Sequence, residues 1–350
     1  MRNFLVKTLV FILPFFFLFF FRLLFYSTDK GDLLRVGYVM DGTGYDKHVV
    51  FKSDFEERIY YKNISDITLN SKDSFDVLVI GDSFSDQGVI GYKNYLAKID
   101  GITVLHFDAL VHHNPVQTLI KVLNGNIFKR YKIKFVILES IERDFVARGN
   151  IVKNAAINQE QLMDSIMSKN AEIVGENQKD KFFSRENLTF AFNTFCYRLD
   201  DNAFHSQTYN VNTIDRLFSV DKRKLLFYDQ DLMNLDRNNN IDSVKQLNNE
   251  LNDLADSLTR QGIKLIVLPC PDKFDFYYDH IIDSTKYSKP LFFDIFRTLP
   301  KSYLYVDSKE ILRREIDKAK DLYLYDDTHW SPYSAQKIAS ALATLVKYNK

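Results

Sequence analysis

A serine that ends an apolar run and a histidine flanked by carboxylates are the residues of this chain best suited to chemistry. The run Val77-Leu78-Val79-Ile80 stops at Gly81-Asp82-Ser83-Phe84, and Asp326-Asp327-Thr328-His329-Trp330 lies near the C-terminus. These supply a hydroxyl, a base to activate it and a carboxylate to orient the base, which are the parts of a serine acyl-transfer site. In an extended segment Asp327 and His329 point the same way, whereas in a helical turn Asp326 comes closer. Either carboxylate can hold the imidazole in the tautomer that takes a proton from Ser83. A helix expected to start at Ser83 would add its positive N-terminal end, and the Ser83 amide is a candidate donor to an oxyanion. Gly-Asp-Ser alone is ordinary turn chemistry, so the inference rests on the pairing.

The elements that must position these groups alternate. Apolar runs read as buried strands at residues 75–80, 102–105, 135–138 and 265–268, with a weaker one at 303–306. Between them lie helical stripes: Val116, Leu119, Ile120 and Leu123 after Asn114-Pro115; Val244, Leu247, Leu251, Leu254 and Leu258, ending at Gly262; and Ala335, Ile338, Ala339, Leu342, Leu345 and Val346 after Ser331-Pro332. Such alternation predicts an α/β fold, a parallel sheet with helices on both faces. Residues 145–240 interrupt it. They are polar and Asn-rich, and read as an insertion with some helix over the strand ends, where such sheets bind ligands. The run Asp236-Arg237-Asn238-Asn239-Asn240 fails as a calcium loop, because Ile241 and Leu247 stand where Gly and Glu are needed. It reads as a helix cap.

The N-terminus predicts a membrane anchor. No charge occurs in residues 8–21, and the apolar stretch extends over 4–26, interrupted by Lys7 and Arg22 near its ends. About 20 apolar residues cross a bilayer, and basic side chains near the ends reach the interface. Arg2 and Lys7 favour a cytoplasmic N-terminus, with the rest of the chain extracytoplasmic. The expected organisation is an anchor at 1–28, a linker with a peripheral hairpin at 29–72, and one catalytic domain at 73–350 containing the insertion.

Lys+Arg and Asp+Glu each count 46 in the 350 residues, so no basic excess suggests a nucleic-acid partner. Cys196 and Cys270 form no metal spacing, and whether they pair stays open. No phosphate-cradling Gly-rich loop is present, and no cofactor is implied. His112 and His113 follow the second strand and are placed either at the cleft or in a surface loop.

Gly81-Asp82-Ser83-Phe84 with Asp326/Asp327-x-His329-Trp330 resembles the SGNH hydrolase superfamily, and the D-x-H-W form is similar to its alginate O-acetyltransferase-like branch. Glu139-Ser140-Ile141-Glu142-Arg143-Asp144 and Pro271-Asp272-Lys273-Phe274 fit the same branch. The resemblance implies a flavodoxin-like three-layer sandwich and a Ser-His-Asp triad. Ser83 would be the nucleophile, His329 the base and Asp327 the orienting carboxylate, while ordinary SGNH spacing selects Asp326. Membrane-anchored members work beside a multi-spanning acyltransferase and modify extracytoplasmic polysaccharide. The resemblance therefore implies an acyl donor, a polysaccharide acceptor and such a partner. The alginate proteins place their D-x-H before the serine, unlike this chain. The Gly-x-Asn-Asp block that supplies an oxyanion Asn elsewhere is absent, which leaves Arg143 and Lys273 as candidates for oxyanion or substrate contacts.

Overall fold

The computed structural model describes residues 2–24, 31–41, 56–67, 74–107, 114–129, 131–175, 185–220 and 222–350. Six strands form one sheet in the order β1 (Lys62–Asn63), β3 (Val104–Phe107), β2 (Ser74–Ile80), β4 (Lys132–Ile141), β7 (Lys264–Cys270) and β8 (Leu304–Tyr305). Every neighbouring pair in it is parallel. The five runs read from sequence supply β2, β3, β4, β7 and β8.

Alternation along the strands sorts the core into two layers. Val77, Val79, Phe135, Ile137, Ile266 and Leu268 face one side, packed with Ala335, Ile338 and Leu342 of the final helix, Pro332–Asn349. Leu78, Ile80, Val136, Leu138, Leu265 and Val267 face the other, against the helices Pro115–Asn124 and Ile241–Thr259. Both faces are covered, as an all-parallel sheet requires. Fully burying one such aliphatic side chain contributes about 2 kcal/mol. Helix starts are fixed locally. Asn114 accepts from the Gln117 amide, Asn240 from those of Asp242 and Ser243, and Ser331 from that of Ser334. The cap expected in the Asn-rich run is therefore Asn240. Gly262, at φ +75, turns the chain into β7.

Strand β2 is followed by β3 on one side and β4 on the other, so the order reverses between β2 and β4. Ile80 sits beside Leu138 in register. This is the crevice at which open α/β sheets bind ligands, and the chain leaving β2 there carries Ser83.

Several expectations need correction. Residues 31–41, assigned to a linker, form the helix Gly31–Asp41, with Leu33, Arg35 and Val36 buried. The Arg35 guanidinium lies 4.0 Å from the centroid of Phe190. The polarity that suggested a linker includes an arginine covered by an aromatic face. Lys62–Asn63 joins the main sheet as its edge strand, and no hairpin occurs among the described residues there. The insertion holds an antiparallel pair, β5 (Thr208–Asn212) and β6 (Lys224–Tyr228), in addition to helix. Cys196 and Cys270 are both free and buried. The helix Arg2–Leu24 is present, but among the described residues no helix is long and apolar enough to cross a membrane. His112 and His113 lie outside the described residues.

Candidate active site

Two turns at the C-terminal edge of the sheet build the site. Residues Gly81 to Asp86 form the first, closed by bonds from the Ser85 amide to the Asp82 carbonyl and from the Asp86 amide to the Ser83 carbonyl. The turn does not open a helix at Ser83. The next α-helix is Tyr92–Lys98, so helix-dipole support for an oxyanion is absent at this serine. Phe84, fully buried, plugs the turn into the core against His329 and Trp330, each 4.9 Å away between ring centroids. Ser83 itself is exposed.

Buried carboxylates shape this turn. Glu139 Oε2 accepts from the amides of Asp82 (2.9 Å) and Ser85 (3.1 Å) and from the Ser85 hydroxyl (2.7 Å). Asp82 accepts from the amides of Phe84 (3.2 Å) and Ile141 (2.9 Å) and from Arg148. A Cβ on Gly81 would fall on Ser85 Oγ and Glu139 Oε2, so only glycine fits. Burial and the neighbouring Asp82 charge push the Glu139 carboxyl well above its usual range. Burial also opposes ionisation of Asp82, but Arg148 and the Ile141 amide outweigh it and hold that carboxyl below its usual range. Protonation at this pair is therefore favoured on Glu139 over Asp82. Among the described residues nothing accepts the Ser83 amide, which is left available to a ligand.

The second turn runs between Tyr323 and Trp330, which form an antiparallel bridge. The Leu324 amide donates to the His329 carbonyl (2.9 Å), and the Tyr323 hydroxyl donates to the Pro271 carbonyl (2.7 Å). His329 Nδ1 lies 2.6 Å from Asp327 Oδ1, and its Nε2 lies 2.8 Å from Ser83 Oγ. A carboxylate only accepts, so Nδ1 carries the proton and Nε2 is free to receive one from the serine hydroxyl. Asp327 also accepts from the His329 amide at 3.2 Å. The i, i+2 arrangement follows the extended alternative. The imidazole Nδ1 bonds Asp327, and its neighbour Asp326 is buried.

Among the described residues the hydrogen bonds of Arg143 and Lys273 go to partners other than Ser83. Arg143 Nη1 donates to Asp272 (2.6 Å) and Asp231 (3.1 Å), and these two carboxylates raise its already high pKa. Its charge is committed to an internal ion cluster, because Asp231 arrives from the insertion expected over the strand ends. Lys273 is buried beneath the second turn. Its ammonium donates to the carbonyls of Tyr325 (2.6 Å), Leu324 (2.7 Å) and Asp327 (3.1 Å). Burial pulls its pKa down to about 7, against the opposing charges of Asp326, Asp327, Asp231 and Asp321. The sequence shows Asp82 and Glu139 as motif members without a role of their own, and gives no sign of Arg148. The available signal was Glu139 itself, a carboxylate at the end of an otherwise apolar strand.

A parallel sheet of flavodoxin-like order, with a serine after its first long strand and a D-x-H-W turn before its last helix, is an α/β arrangement consistent with an SGNH-like fold. Residues 222–350 match the family model for the SGNH hydrolase-like domain of acetyltransferase AlgX. No curated protein and no solved structure matches the chain. The resemblance to the alginate O-acetyltransferase-like branch thus holds over the C-terminal segment, which contains Lys273, Asp327 and His329. That segment is similar to an SGNH hydrolase-like domain of an acetyltransferase. Ser83 lies outside it and is brought to it by the sheet.

Proposed function

We propose that this chain is an O-acyltransferase, acetyl being the favoured group, that acts on extracytoplasmic polysaccharide through an acyl-serine intermediate. The observation that carries the reading is the chain of contacts Ser83 Oγ–His329 Nε2 at 2.8 Å and His329 Nδ1–Asp327 Oδ1 at 2.6 Å. His329 Nε2 takes the Ser83 proton as Oγ attacks the carbonyl of the acyl donor. The Ser83 amide donates to the resulting oxyanion. Collapse expels the donor's leaving group, which takes the proton from His329. A sugar hydroxyl then gives its proton to His329 and attacks the acyl-serine. The second collapse forms the sugar ester and returns the proton to Ser83. Asp327 keeps Nε2 as the accepting nitrogen throughout.

Anchoring belongs to the same proposal. The helix Arg2–Leu24 has 23 residues, a length of about 35 Å at 1.5 Å per residue. Phe4, Val10, Phe11, Phe15, Phe17 and Leu18 on it are exposed. In this reading the exposed apolar side chains of the helix hold the domain against the outer face of the cytoplasmic membrane, beside a multi-spanning protein that delivers the acyl group.

The exposure of Ser83 favours a second reading, a carbohydrate esterase, because water reaches the acyl-serine as readily as a sugar does. Incubating the full chain in detergent with an activated acetyl ester and candidate glycans separates the two. The transferase reading expects acetylated glycan that depends on Ser83. Acetate release with no acetylated glycan in any case would replace it with the esterase. Unchanged polymer acetylation in cells carrying Ser83→Ala would reduce the domain to a glycan-binding subunit and defeat both.

A further inference from the structure

The buried ammonium of Lys273 touches the histidine turn from within. Its three N–H donors meet three backbone carbonyls, those of Leu324, Tyr325 and Asp327. Converging carbonyls form the kind of nest that otherwise holds a cation. Phe218 closes one side, its ring centroid 5.1 Å from Nζ. Lys273 opens the short helix Lys273–Tyr277 that follows β7, and the turn it fills lies between the bridged residues Tyr323 and Trp330. An isolated charge in such a place costs several kcal/mol, and an apolar side chain would fill the same volume without that cost. A neutral amine has two N–H donors and would leave one carbonyl bare.

We infer that Lys273 is a positioning residue for the acyl transfer proposed above: its ammonium templates the backbone of residues 324–327 and so sets the Asp327 carboxylate and the His329 imidazole at their distances from Ser83. The inference rests on the proposed use of Ser83 and His329. It assigns Lys273 no contact with substrate.

The experiment compares the full-length wild type with Lys273→Met and Lys273→Arg, both checked for folding by circular dichroism. Two quantities are read: the rate at which a fluorophosphonate labels Ser83, and hydrogen exchange at the Leu324 amide. In Lys273→Met, labelling falls at least about tenfold and Leu324 exchange quickens while β4 amides are unchanged, since a displacement of about 1 Å in a catalytic group costs up to about 10²-fold. Lys273→Arg, which keeps the charge but not the three-pronged head, falls between. Should Lys273→Met not fold, Lys273→Gln with two N–H donors replaces it in the same comparison. A folded variant that labels within about twofold of wild type and exchanges Leu324 at the same rate overturns the inference. Wild type that does not label at Ser83 defeats the proposed function instead, and the exchange arm alone then decides whether Lys273 shapes the turn.

Discussion

Glu139 Oε2 lies beneath the serine turn and accepts the Ser85 hydroxyl at 2.7 Å, together with two backbone amides of that turn. A strand residue of β4 thus dictates the shape of the loop leaving β2. The contact depends on acceptor geometry more than on charge, since burial and Asp82 favour the protonated carboxyl. Glu139→Gln, which keeps an acceptor, should cost about 1 kcal/mol or less. Glu139→Leu removes an acceptor shared by three donors and should cost about 3 kcal/mol. Urea denaturation at neutral pH measures both.

Gly81→Ala tests how tightly that loop is packed. The added methyl meets Ser85 Oγ and the Glu139 carboxylate, both held from several sides. Overpacking of this kind costs about 1–3 kcal/mol. Esterolysis should fall further than the stability loss explains, because Ser83 shifts with the turn. Denaturant midpoints and esterase rates on the same preparations check this.

The two adjacent carboxylates should behave differently. Asp327→Asn removes the acceptor that fixes the His329 tautomer and should reduce turnover on the order of 10²–10⁴-fold. Asp326→Asn, which leaves the bond between Asp327 and His329 in place, should reduce it less than about tenfold, by weakening the charge that supports Lys273. Rates with an activated ester separate the two. Equal losses would contradict the assignment of Asp327.

Lys273 makes stability depend on pH. Its folded pKa is lowered from 10.5 to about 7. Between those values the unfolded chain binds a proton that the folded chain has released, so this group's contribution to stability rises with pH across the window. Below pH 7 both states are protonated and the full cost of the buried charge is present. Lys273→Met should flatten the rise between pH 7 and 10, as read from denaturation midpoints along the series.

The sheet and its helices were legible because buried strands and amphipathic helices write their periods in the chain. β2, β4 and β7 are apolar runs, and Asn114-Pro115 and Ser331-Pro332 mark helix starts by local rules. The pairing of Ser83 with His329 was legible as residue types, and Asp327 as one of two carboxylates. Arg143, Lys273, Glu139 and Arg148 were not readable in the same way. The role of a charged residue depends on which opposite charges or carbonyls the fold delivers, and Asp231 or the carbonyl of Tyr325 leaves no local pattern. The helix Gly31–Asp41 escaped for a related reason: Arg35 looks polar in sequence and is covered only when Phe190 arrives from a distant helix.

The account stands or falls on a covalent bond at Ser83. Full-length protein is mixed with 4-nitrophenyl acetate, quenched in acid and digested, and its peptides are weighed by mass spectrometry. The account predicts an acetyl group on the peptide holding Ser83, absent in Ser83→Ala and in His329→Ala. Ester cleavage that continues undiminished in Ser83→Ala, with no acetyl on that peptide in wild type, would contradict it.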